Sequence, residues 1–134
     1  MGKRILFVEE DARFRRVFPH AIREALVDEG LGVAFVEAGS LAEARSRLRE
    51  GGLDAALIDV TMPDGNGLGL VGEIHDGGVG IPIPTLVLTA SLEASVAVEA
   101  LDAGARGALS KLAPMREATD AIRSLTDAGS SEPA

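Results

Sequence analysis

The chain has 134 residues, 46% of them apolar and 25% charged, which suits one globular domain and leaves no room for two. It contains no cysteine, so disulfides and thiolate metal sites are excluded, and a formal charge of −8 repels nucleic acid and anionic lipid. The longest apolar stretches are strand length and the N-terminus lacks the order of a signal peptide; a cytoplasmic protein without a membrane span is expected.

Short apolar runs alternate with segments of helical period, the pattern of a parallel sheet covered on both faces. The first run is Ile5 to Val8. A helical stripe follows in Phe14, Val17, Phe18, Ala21, Ile22, Ala25 and Leu26, ending at Gly30. Pro19 interrupts it, but the stripe keeps its phase across the proline, which predicts one kinked helix. The second run is Val33 to Val36. Ser40 and Glu43 form a capping box that opens a helix with Leu41, Ala44 and Leu48 inward, closed by Gly51 and Gly52. The third run, Ala55 to Ile58, leads to a helix over Leu68 to His75. The fourth, Thr85 to Leu88, leads to a helix with Ser91 as N-cap and Gly104 at its end. The fifth, Ala108 to Ser110, precedes a helix from Pro114 with Met115, Ala118, Ile122 and Leu125 inward. Residues 1–126 are expected to form the domain and 127–134 a disordered tail. Five β-α units with right-handed crossovers predict an α/β fold, a five-stranded parallel sheet of order 2-1-3-4-5 with helices on both faces, as in flavodoxin.

Ligands of open α/β sheets bind at the carboxyl ends of the strands. There the sequence places Glu9, Glu10 and Asp11 after the first run, Asp59 after the third, Thr89 after the fourth and Lys111 after the fifth. In the order 2-1-3-4-5 the acidic ends of strands 1 and 3 are neighbours. Lys111, two strands from Asp59, must span roughly 10 Å, which a long flexible cation does comfortably. It is one of only two lysines beside eleven arginines. Crowded carboxylates call for a cation, and Mg²⁺, which takes one or two carboxylates plus phosphate oxygens, suits a cluster without histidine. Asp59 could then attack a phosphoryl group as a carboxylate nucleophile, with Lys111, the Thr89 hydroxyl and backbone amides holding the phosphoryl oxygens.

These strand ends, in this order, resemble a response-regulator receiver domain of bacterial two-component signalling. Ile5-Leu-Phe-Val-Glu9-Glu10-Asp11 resembles the acidic-pair strand end, and Asp59-Val-Thr61-Met62-Pro63-Asp-Gly-Asn66-Gly67 the phosphoacceptor strand and its loop. Leu86-Val-Leu-Thr89-Ala90 resembles the switch-hydroxyl strand, and Ala103-Gly-Ala-Arg-Gly-Ala-Leu-Ser-Lys111 the final strand with its lysine. The resemblance implies a non-enzymatic signalling protein, with Asp59 phosphorylated by a sensor histidine kinase or phosphotransfer protein. It implies Mg²⁺ held by Glu9, Glu10, Asp59 and the Thr61 carbonyl, and phosphoryl oxygens bound by Thr89, the Ala90 amide and Lys111. A homodimer or output partner would bind the fourth helix, fifth strand and fifth helix. Three positions depart from the family: Glu10 stands where Asp is usual, Ala108 where an aromatic is usual, and Leu112 and Ala113 separate Lys111 from Pro114. With Ala108 in place, coupling is expected through Ala90 to Ser95 and the Leu112 to Pro114 loop. The wording of the last motif is most like receivers that precede a helix-turn-helix output domain, so the chain is read as a stand-alone receiver or part of such a regulator.

Two other readings compete. A degenerate receiver would bind partners without phosphorylation, as Glu10 and Ala108 suggest. A phosphatase with an aspartyl nucleophile would carry Asp-x-Asp, but position 61 is Thr. Gly67-x-Gly69-x-x-Gly72 matches the dinucleotide fingerprint in letters only, since it lies eight residues beyond its strand. His20 and His75 lack metal spacing.

Overall fold

The computed structural model describes residues 2–127. Five parallel strands, β1 (Lys3–Val8), β2 (Val33–Ala38), β3 (Ala55–Asp59), β4 (Thr85–Thr89) and β5 (Ala108–Ser110), form one sheet in the order β2-β1-β3-β4-β5. The expected strand order is the one observed. Five helices cover it: α1 (Ala12–Val27), α2 (Leu41–Glu50), α3 (Gly67–His75), α4 (Ala94–Ala103) and α5 (Met115–Asp127).

Strand side chains alternate between faces, and here both faces are dry, which is why the central runs are continuously apolar. Ile5, Phe7, Leu57, Leu86, Leu88 and Leu109 pack with Phe18, Ile22 and Leu26 of α1 and Ala118, Ile122 and Leu125 of α5. Leu6, Val8, Ile58 and Val87 pack on the other face against α2, α3 and Ala100 of α4. This alternation also aims the strand ends. Glu9, Asp59 and Lys111 continue the parity of the α1/α5 face, whereas Thr89 follows Val87 onto the α3/α4 face.

Several boundaries differ from expectation. Asp11, counted among the strand-end acids, is the N-cap of α1, its carboxylate accepting from the Arg13 and Phe14 amides at 2.9 and 3.2 Å. As expected, a single helix runs through Pro19, which is buried, but Val17, read as part of the inward stripe, is 58% exposed. Strand β2 continues two residues past Val36. Ser91 does not cap α4; Glu93 occupies that position, because the Ser91 backbone is engaged by the Thr89 hydroxyl. Met115, expected inward, lies exposed at the start of α5. That helix includes Asp127, one residue into the expected tail; residues 128–134 lie outside the described part. An unanticipated feature follows β3, a small antiparallel ribbon pairing Thr61–Met62 with Gly65–Asn66.

The Ser40 half of the capping box forms as read, Ser40 Oγ accepting the Glu43 amide at 3.1 Å, whereas the Glu43 carboxylate reaches one residue further back and accepts the Gly39 amide at 2.8 Å. Asp64, in the turn of the ribbon, adds to it by accepting the Leu41 and Ala42 amides at 2.8 and 3.0 Å. The turn after β3 is thereby tied to the N-terminus of α2.

Candidate functional site

Three charged side chains from three strand ends meet at the carboxyl edge of the sheet. Lys111 Nζ lies 2.5 Å from Asp59 Oδ2 and 2.7 Å from Glu9 Oε1. Glu9 is fully buried, Asp59 is 4% exposed, and the Lys111 side chain reaches them from the rim. The Lys111 amide donates to the Thr89 carbonyl at 2.8 Å, carrying the backbone of β5 past the end of β4 so that the side chain can cross both intervening strand spacings.

The remaining carboxylate oxygens are fixed by backbone. Asp59 Oδ1 accepts the Thr61 amide at 3.1 Å, and Glu9 Oε2 accepts the Asp11 amide at 3.0 Å. Glu9 Oε1 is buried and meets the ammonium off the hydrogen-bonding directions, so it has a counter-charge but no aligned donor. Burial raises the pKa of Glu9, the nearby Asp59 charge adds to this, and the Lys111 and Asp11 contacts oppose it. For Lys111 burial works downward, but the hydrogen bond to Asp59 and the close charges of Asp59 and Glu9 outweigh it and the net shift is upward, keeping the ammonium charged. The three groups together carry one excess negative charge in a poorly solvated place.

The other residues singled out in the sequence stand around this trio in different ways. Glu10, in the bend after β1, is exposed, and its carboxylate joins no hydrogen bond or ion pair among the described residues. Consistent with this, no three His, Cys, Asp or Glu side chains gather to hold a metal ion among the described residues. Thr61 and Ala90 are exposed at the rim. The Thr89 hydroxyl is turned onto its own loop, accepting the Ser91 amide and donating to the Ser91 carbonyl, both at 3.2 Å. Leu112 and Ala113 form a turn, with the Ala113 amide on the Ser110 carbonyl and the Leu112 amide on Ser110 Oγ, each at 3.0 Å; among the described residues no peptide is cis.

Three supporting residues escaped the strand-end pattern. Arg15 of α1 donates to the Glu9 carbonyl at 2.5 Å and the Glu10 carbonyl at 3.3 Å while pairing with Glu37 at 3.1 Å, which ties the acidic loop to β2. Phe14 lies beneath Lys111, the ammonium 5.3 Å from the ring centroid. Gly67 opens α3 so close behind Asp59 that a Cβ there would collide with the Asp59 carbonyl. That explains the first glycine of the Gly-x-Gly-x-x-Gly pattern without a nucleotide. The first two fall within the first turn after the Asp11 cap, on the helix that leaves the acidic strand end, but no spacing in the chain marks their partners.

Residues 5–123 match the model of the response regulator receiver domain. The chain belongs to that family. Among curated relatives, this receiver domain is 35% identical over 107 residues to the swarming motility regulation protein RssB of Serratia marcescens, covering 80% of this chain and 45% of that protein. It is 34% identical over 125 residues to the response regulator MprA of Mycobacterium tuberculosis, covering 93% and 51%. The receiver chain thus spans about half the length of the curated relatives it matches. Among solved structures, a LuxR-family two-component response regulator from Aurantimonas superposes with a TM-score of 0.77 at 27% identity, covering 94% of this chain and 86% of that one. Response regulators are in general signalling proteins, not enzymes, and among the described residues no helix is long and apolar enough to cross a membrane.

Proposed function

We propose that this receiver domain, residues 1–126, is a cytoplasmic phosphoacceptor of a two-component system, phosphorylated on Asp59 by a histidine kinase or phosphotransfer protein and thereby altered in its binding to a homodimer or output partner. The observation that carries the reading is the buried Glu9–Lys111–Asp59 trio. A carboxylate held by an ammonium, with one backbone amide on its second oxygen, is placed to attack phosphorus; the bond from phosphorus to the donor atom breaks, and an acyl phosphate forms. Lys111 can then move from Asp59 to a phosphoryl oxygen while staying charged.

The donor set fits a magnesium ion. Its oxygens are hard, the trio carries excess negative charge, and the buried Glu9 Oε1 lacks an aligned donor. Glu9, Glu10, Asp59 and the Thr61 carbonyl would hold the ion, Glu10 from the exposed side of the trio. When bound, it offsets the charge of the entering phosphoryl group. Thr89 and the Ala90 amide would bind phosphoryl oxygens once the Thr89 hydroxyl leaves Ser91. Because that hydroxyl now closes the Thr89–Ser91 turn, its departure would loosen residues 90–95 and the approach to α4, while Ala108 supplies no aromatic to follow. The fourth helix, fifth strand and fifth helix would read this out.

Intact-mass measurement after incubation with acetyl phosphate and Mg²⁺ tests the assignment. Wild type gains one phosphoryl group and Asp59→Asn gains none; an unmodified wild type that still binds partners would establish the degenerate reading instead. Thr89→Ala is expected to keep the adduct but weaken phosphorylation-dependent association, and unchanged association would count against the route through residues 90–95.

A further inference from the structure

All four phenylalanines of the chain gather on the α1 side of the sheet, and one of them underlies the site. Phe14 stacks on Phe18 with centroids 5.0 Å apart and an interplanar angle of 23°, and it is tilted against Phe7 at 6.0 Å. Phe7 lies two residues before Glu9 on the same strand. The orientation of the Phe14 ring is therefore set by packing, and its exposed face is what the Lys111 ammonium meets at 5.3 Å. That distance lies within the range in which a cation is attracted to the negative face of an aromatic ring. The attraction is strengthened because the Lys111 side chain is only 18% exposed.

We infer that Phe14 is a positioning residue for phosphoryl transfer: its ring forms a floor that holds the Lys111 ammonium over Asp59 and Glu9. A lysine that spans two strand spacings has many rotamers, and the carboxylates fix its head only from one side. Once a phosphoryl group draws Nζ away from Asp59 Oδ2, that contact is weakened, whereas the ring face stays beneath the ammonium through the step. An aliphatic side chain of similar volume would fill the same space without attracting the cation. The inference rests on the phosphoacceptor reading above.

The test compares wild type with Phe14→Leu, Phe14→Trp and Phe14→Tyr, with Phe14→Met as a second aliphatic variant should Leu fail to fold. Only two lysines are present, so their ε-methylene resonances are readily separated by NMR. The Lys111 ε-methylene protons are expected upfield of those of Lys3 in wild type and in the Trp and Tyr variants, and to lose that shift in Leu or Met. Adduct formation from acetyl phosphate with Mg²⁺ should slow about three- to tenfold in the aliphatic variants and be retained in the aromatic ones, a pattern that loss of packing alone does not produce. An aliphatic variant reacting at the wild-type rate, aromatic variants slowed as much as aliphatic ones, or no ring-induced shift in wild type would each overturn the inference. A wild type that shows the shift but forms no adduct refutes the phosphoacceptor reading, and with it the role of Phe14 in transfer.

Discussion

The three glycines of the Gly67-x-Gly69-x-x-Gly72 pattern should respond to alanine in opposite directions. At Gly67 an added Cβ overlaps the Asp59 carbonyl oxygen and lies 2.9 Å from both the Asp59 carbonyl carbon and Ile58 Cγ2. Two of these neighbours are backbone of the central strand, so relief requires α3 or the end of β3 to move, and overpacking of this kind costs about 1–3 kcal/mol. Nothing lies within 4 Å of a Cβ at Gly69 or Gly72, both inside α3, where alanine should stabilise by about 0.5–1 kcal/mol each through helix propensity. For a domain of this size 1 kcal/mol moves the melting temperature by about 3–5 °C. Gly69→Ala/Gly72→Ala should therefore melt several degrees above wild type and Gly67→Ala several degrees below it. With neither Trp nor Tyr in the chain, the measurement is far-UV circular dichroism under heat and urea. Gly67→Ala should in addition form less Asp59 adduct, since the shifted carbonyl belongs to the acceptor residue. A Gly67→Ala protein as stable as wild type, or a destabilised Gly69→Ala/Gly72→Ala protein, would refute the argument that close approach governs the first glycine and not the other two.

Lys111→Met leaves Glu9 and Asp59 facing each other with no counter-charge, and about 3 kcal/mol of stability should be lost at pH 7 by urea titration. Burial already raises the pKa of Glu9, and loss of the ammonium removes what opposes this, so the folded state binds a proton there more readily than the unfolded chain and the deficit should shrink as pH falls from 7 toward 5. Arg15→Gln removes the donors to the Glu9 and Glu10 carbonyls and should cost about 1–2 kcal/mol in the same assay, with slower adduct formation. Glu73 is held below its ordinary pKa of 4.5 chiefly by its hydrogen bonds to Arg45, so its contribution is present above pH 4.5 and is lost as pH falls through its folded value. Glu73→Gln should accordingly flatten the fall in stability below pH 4.5; an unchanged acid limb in a pH series of melts would contradict this.

What local chemistry could declare was legible in the chain. The continuous apolar runs at Ile5, Ala55 and Thr85 require strands dry on both faces, Ser40 with Glu43 specifies a helix start from neighbouring atoms alone, and right-handed crossovers restrict the strand order. From that order followed the proximity of Glu9, Asp59 and Lys111, because the ends of β1 and β3 are adjacent and Asp59, two spacings from Lys111, lies within reach of a lysine. Other features depend on which helix packs over which strand end. Phe14 beneath Lys111, Arg15 on the Glu9 and Glu10 carbonyls, Asp64 on the amides of α2 and Gly67 against Asp59 each join segments whose spacing in the chain carries no periodic signal. Ser91 shows the same limit within a single loop: its residue type suits an N-cap, yet the end of β4 places the Thr89 hydroxyl where it captures the Ser91 backbone first. Periodicity and capping determine elements and their order because they act over a few residues; the orientation of donors around a buried charge was decided only when the layers closed.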